Sequence, residues 1–226
     1  NSKIFIDLCS INIDIINNLV TIIKNKNIKV NFYIMFEPYI NNDIIELLLP
    51  VSHNIFTNNN IYNHPKLHVM PIGIRDDEKI FNQHKGFNHK LLYNEGKKII
   101  NKQYLCLLCF TLNTEQNRNN FGNNDDINRQ ELYNLFKNKY YITNLNDNIN
   151  IKQKQESECC GKISVTINYE YTHKSYYVLC PFGYGIDTHR FWECIYLNTI
   201  PIVLKTNTAF DKIYNNCPCL IVNSWN

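Results

Sequence analysis

S-Y-Y-V-L-C-P-F-G-Y-G-I-D-T-H-R-F-W-E-C-I-Y-L-N-T-I-P-I-V-L, residues 175–204, is the stretch on which the fold turns. An apolar strand over 176–180 enters a tight loop holding Gly183 and Gly185. A run with helical apolar spacing follows over 189–197, and a second apolar strand over 200–204. Strand, loop, helix and strand at this pitch form the repeating unit of a parallel α/β sheet. The chain has seven glycines, and two of them fall within three residues here. Glycine allows positive φ and close backbone approach, as a ligand phosphate requires. Asp187 or Thr188 can cap the helix, whose free amides and positive dipole end then face the same loop. Arg190 stands in the first turn, where a cation opposes that dipole and an anion would relieve the conflict. Arginine is scarce in this chain, at four residues against nineteen lysines, so its use points to a need for the planar fork. Glu193, one turn along, is placed to take both hydroxyls of a ribose. The same spacing also fits a helix surface with an Arg190–Glu193 ion pair beside a core face of Phe191, Cys194, Ile195 and Leu197.

Outward from this unit the alternation continues in both directions. Upstream in the second half, a strongly apolar strand spans 104–112, followed by a polar loop over 113–128. A helix is predicted over 129–138 and a strand over 140–144. A polar insertion covers 152–161 and a short helix 166–174. Downstream, 209–214 reads as a helix and 219–222 as a last strand, which leaves room for a C-terminal helix beyond it. The first half predicts strands over 3–8, 29–36, 53–57 and 67–71 and helices over 13–24 and 42–49. Between the halves, 76–102 is polar with two scattered glycines and reads as a connection. The expected architecture is therefore α/β, with a Rossmann-like unit over 1–82, a linker over 83–102 and a second Rossmann-like unit over 103–226. Asn113 and Arg118 follow the first strand of the second unit, the usual place for ligand loops, and Arg118 is a second phosphate candidate. Arg129, at the start of a helix, reads as structural.

Composition narrows the function. With 44% hydrophobic residues in 226, the chain can bury a sizeable core, and a net charge of +3 gives no reason to expect a nucleic-acid partner. No segment approaches the roughly 18 uninterrupted apolar residues of a membrane span. Nine cysteines is an odd number, and the Cys106/Cys109 pair, spaced like half a zinc site, finds no matching second half. Buried thiols in a reducing compartment, and no metal, are the expectation, with the cytoplasm as location and a Golgi-type lumen as the alternative. No G-x-x-x-x-G-K-[ST] phosphate loop and no G-x-G-x-x-G occurs, so the nucleotide-binding motifs of kinases and dinucleotide enzymes are absent.

The run G-Y-G-I-D-T-H-R-F-W-E-C-I-Y-L-N-T-I-P-I-V, residues 183–203, resembles the signature of exostosin-like glycosyltransferases, of the family 47 type. The chain departs from that pattern where Cys194 replaces a small residue and Asn198 a glycine. Asn tolerates the left-handed conformation of a helix C-terminus, so the second change is benign. H-P-K-L-H-V-M-P-I-G-I (residues 64–74) and P-C-L-I-V-N-S-W (residues 218–225) extend the likeness to about fifty residues. The resemblance implies a GT-B-like fold, two Rossmann-like domains facing a cleft, with the first one short or truncated. It implies a nucleotide-diphosphate sugar as donor substrate, a glycan or glycoprotein as acceptor, no cofactor and no metal. Gly183, Tyr184 and Gly185, with Asp187, Thr188 and His189, would wrap the donor. Arg190 would contact the diphosphate and Glu193 the ribose, with Gly73 and Arg75 bordering the cleft from the opposite wall. Asp-x-Asp, the metal-binding motif of the other large transferase fold, is absent from the chain. An inverting transfer needs a base near the acceptor hydroxyl; Asp7 and Glu37, each at a predicted strand end, are the candidates. A silent nucleotide-sugar-binding module with the same fold is the competing expectation.

Overall fold

The computed structural model describes residues 2–7, 12–35, 42–60, 62–74, 88–112, 127–147 and 165–225. They form an α/β structure with two separate parallel sheets, one of four strands and one of five.

The first sheet contains β1 (Lys3–Asp7), β2 (Val30–Met35), β3 (Ser52–Thr57) and β4 (Leu67–Val69), side by side in chain order. α1 (Ile13–Asn25) joins β1 to β2, and α2 (Asn42–Leu48) joins β2 to β3. Asn12 caps α1, its Oδ1 accepting from the Ile15 amide at 3.0 Å, and Ile16, Val20 and Ile23 form the face it buries. Every crossover steps the same way across the sheet, so right-handed connections put both helices on one face. Phe32, Ile34, Leu48 and Ile55 fill the space beneath them, each contributing roughly 1.5–3 kcal/mol by burial.

On the other face Phe5, Tyr33, Phe56 and His68 are direct cross-strand neighbours. Their rings stack in a continuous ladder with centroids 4.8–4.9 Å apart. Among the described residues no helix lies over this face, and Phe5 is 70% exposed. Parallel sheets are ordinarily covered on both sides.

The second sheet contains β5 (Tyr104–Leu108), β6 (Ile142–Asn144), β7 (Ser175–Leu179), β8 (Ile200–Leu204) and β9 (Leu220–Val222). Its order is β6-β5-β7-β8-β9, so the chain steps one way from β5 to β6 and then back past β5 to β7. α4 (Arg129–Phe136) serves the first step; α5 (Val165–His173), α6 (His189–Tyr196) and α7 (Asp211–Tyr214) serve the returning ones. By the same handedness rule α4 lies on one face and α5 and α6 on the other. The core between them includes Leu107, Leu108, Leu132, Val178, Phe191 and Val203.

The stretch expected to be only a connection contains a helix, α3 (Asn88–Gly96). Its surroundings in sequence are polar, but Leu92 is almost wholly buried against Tyr169 of α5 and Leu197 after α6. Two leucines in a charged run are too few to register as helical periodicity; tertiary packing supplies what the local pattern lacks. Asn198 does adopt the left-handed conformation expected of it, with φ 52°. The cysteines of the described residues are free thiols, four of them buried, and burial pushes the Cys106 thiol up to about 12. Among the described residues no helix is long and apolar enough to cross a membrane.

Candidate functional site

The reversal of strand order places a crevice in the second sheet. The connection leaving β5 and the connection leaving β7 go to opposite faces, so a gap opens outside the carboxyl ends of these two adjacent strands. Such a switch point is where open α/β sheets bind ligands. Cys109 follows β5 and Cys180 follows β7, and both lie close enough to Arg190 to act on its charge.

Arg190 is half-buried in the first turn of α6. Its Nη1 donates to Asn168 Oδ1 of α5 at 3.1 Å, and its guanidinium also hydrogen-bonds the Cys109 sulfur. Burial works against its charge, and the Glu193 carboxylate one turn along favours it. Arg190 is thus a cation at any working pH, and both named hydrogen-bond partners are neutral. One turn along, Glu193 accepts from the Tyr169 hydroxyl at 3.2 Å through Oε1. A guanidinium, a carboxylate, an amide and a fully buried phenol therefore gather between α5 and α6, beside the crevice.

The preceding loop turns the other way, toward the first sheet. Asp187 is buried, and its Oδ2 accepts from the Ile72 amide at 2.7 Å, across 115 residues of chain. Its Oδ1 accepts from Trp192 Nε1 at 2.7 Å. The Asp187 amide in turn donates to Asn59 Oδ1 at 2.7 Å. His189 Nδ1 meets the Gly73 carbonyl at 2.8 Å; a carbonyl only accepts, so Nδ1 carries the proton. Burial pushes the Asp187 carboxyl up to about 6, against the pull of its Ile72, Trp192 and Thr188 donors.

Both loop glycines answer to the protein itself. A Cβ on Gly185 would lie 2.2 Å from the Asn59 Nδ2, an overlap no real side chain tolerates. A Cβ on Gly183 would lie 3.1 Å from Arg129 Nη2. Arg129 is buried and bonds three backbone carbonyls: Phe182 at 2.6 Å, Thr111 at 2.9 Å and Pro181 at 3.2 Å. It ties the loop after β7 to the end of the first strand of its own sheet. The rarity of arginine, used above for Arg190, was equally the signal for this one.

The structure therefore divides the residues singled out from sequence. Arg190 and Glu193 meet at the crevice. Gly185, Asp187, His189 and Gly73 meet at the seam between the two sheets, and the Asp187 carboxylate, expected to face a donor, faces Ile72 and Trp192. Thr188 is the N-cap of α6, but its side chain makes no capping bond; the expectation of a side-chain cap from Asp187 or Thr188 gives way to the Asp187 contacts across the seam. Tyr184 is half-exposed at the tip of the loop. Asp7 ends β1, at the edge of the first sheet farthest from β4; at about 4.8 Å per strand this is roughly 14 Å from the end of β4. Glu37, Arg75, Asn113 and Arg118 lie outside the described residues. No group of metal-binding side chains occurs among the described residues.

Neither a family model nor a curated protein matches this chain.

Proposed function

We propose that the chain is an exostosin-like glycosyltransferase of GT-B type, which binds a nucleotide-diphosphate sugar at the crevice between β5 and β7. The carrying observation is the position of Arg190: a permanent cation, with neutral hydrogen-bond partners, in the first turn of a helix at the point of strand-order reversal. A diphosphate there would meet the guanidinium fork and the free amides of α6 together. Glu193 would take the ribose hydroxyls, exchanging its Tyr169 partner for them. The acceptor, a glycan or glycoprotein hydroxyl, would attack the anomeric carbon as the bond to the nucleoside diphosphate breaks, its proton passing to a carboxylate. Asp7 or Glu37, both in the first half of the chain, remains the proposed base, and the transfer is proposed to be inverting and independent of metal.

A silent nucleotide-sugar-binding module is the second reading, and one observation favours it. Asp7, the candidate base that the structure describes, ends β1 at the edge of the first sheet farthest from β4, while the seam is reached from β3 and β4 through Asn59 and Ile72.

Titration with nucleoside diphosphates tests the site. Charge-assisted hydrogen bonds are worth roughly 1.5–3 kcal/mol, so Arg190→Ala is expected to weaken binding about 10–150-fold. Arg190→Lys restores part of this, because a point charge lacks the fork. Glu193→Gln weakens the nucleoside diphosphate while sparing inorganic pyrophosphate. Parent-like binding by all three folded variants would remove the site from the crevice. Turnover of a panel of sugar nucleotides in excess chelator separates the enzyme from the module.

A further inference from the structure

We infer that Asn59 and Asp187 are positioning residues that hold the two sheets in one fixed relation and thereby set the first turn of α6. Four of the contacts across the seam come from three short pieces of chain. On the first-sheet side are Asn59, just past β3, and Ile72 and Gly73, just past β4. On the second-sheet side are Gly185, Asp187 and His189, in the loop that runs directly into α6. Arg190 is the next residue after His189, so whatever locates this loop also locates the guanidinium.

The chemistry of the joint is specific at each point. Both oxygens of Asp187 face donors, Ile72 N–H and Trp192 Nε1–H. An asparagine there would turn its own N–H groups toward one of them and lose that bond. Asn59 reaches its place with φ 52°, a left-handed conformation that asparagine tolerates and most residues do not. Its side-chain amide then enters the space that a Cβ on Gly185 would occupy. The charged and titratable neighbours of Asp187 are His189, bonded to the Gly73 carbonyl, and from the other side Tyr214 of α7 and Cys217. This inference does not depend on the identity of any ligand.

The test uses the full chain carrying bio-orthogonal spin labels at His53 and Tyr140, exposed positions in the first and second halves. Gly185→Ala is expected to shift the distance distribution and to raise the dissociation constant for inorganic pyrophosphate by about tenfold, equivalent to 1.4 kcal/mol. Asn59→Gly suits the left-handed φ and removes the obstructing amide, so the double variant Gly185→Ala/Asn59→Gly recovers the distance distribution of Asn59→Gly alone. If Gly185→Ala fails to fold, recovery of folding in the double variant is the same result. Asp187→Asn is expected to broaden the distribution without adding bulk. Parent-like distances in both Gly185→Ala and Asp187→Asn, or no recovery in the double variant, would overturn the inference. A parent that binds no pyrophosphate but shows the shift and its recovery would remove the donor reading and leave the joint standing.

Discussion

The first sheet steps steadily from β1 to β4 and, among the described residues, has helices on one face; the second reverses at β5 and has helices on both. The contrast explains where each sheet keeps its polar chemistry. A sheet without a reversal has no gap at its carboxyl edge, and the first sheet uses that edge to grip its neighbour through Asn59 and Ile72. A sheet with a reversal has a gap, and there the second sheet places Arg190 beside Cys109 and Cys180. The two sheets also keep separate cores, one around Phe32 and Ile55 and one around Leu107 and Phe191.

Separate cores give the sharpest way to break this comparison. Phe32→Ala and Phe191→Ala each remove a fully buried ring and should each cost about 3–5 kcal/mol. Hydrogen exchange is expected to show the Phe32 variant losing protection chiefly in β1–β4 and the Phe191 variant chiefly in β5–β9. Equal loss everywhere in both variants would mean that the sheets fold as one unit.

The next effect in size concerns the seam and pH. Asp187 titrates at about 6 in the folded chain against 3.8 for an ordinary aspartate. Its contribution to stability is therefore complete below pH 4 and lost as pH rises through 6, on the order of 3 kcal/mol across that window. The difference in denaturation free energy between parent and Asp187→Asn, followed from pH 4 to 7, should fall with rising pH. A flat difference would place the Asp187 carboxyl at an ordinary pKa, and so in contact with water.

The smallest effect is expected on the open face of the first sheet. Phe5→Ala removes one end of the aromatic ladder, an exposed cross-strand partner worth roughly 0.2–1 kcal/mol. A larger loss, measured by chemical denaturation, would mean that this face is covered in solution.

Much of the fold was legible in the amino-acid order. The apolar spacing of Ile15, Ile16, Leu19, Ile22 and Ile23 is enough to place α1, although Ile15 and Ile22 are exposed and Val20 joins the buried face; the apolar run 104–112 places β5. The arrangement of the site was less so. Arg190 and Glu193 sit on one helix, and their joint placement follows from spacing. The role of Asp187 depends on Ile72 and Asn59, more than a hundred residues away, and no local pattern records such a partnership. Gly185 carried a real signal, since glycine marks a close approach; what approaches is the Asn59 side chain. The exposed ladder was hidden for a different reason: Phe5, Tyr33 and Phe56 read as ordinary strand residues until register brings them into line.

Both tryptophans of the chain, Trp192 and Trp225, belong to the second half, whereas Tyr33 sits stacked between Phe5 and Phe56 in the first. Indole emission therefore reports on the second sheet alone. Because the Trp192 indole N–H ends on Asp187, its emission wavelength is also an optical gauge of the joint.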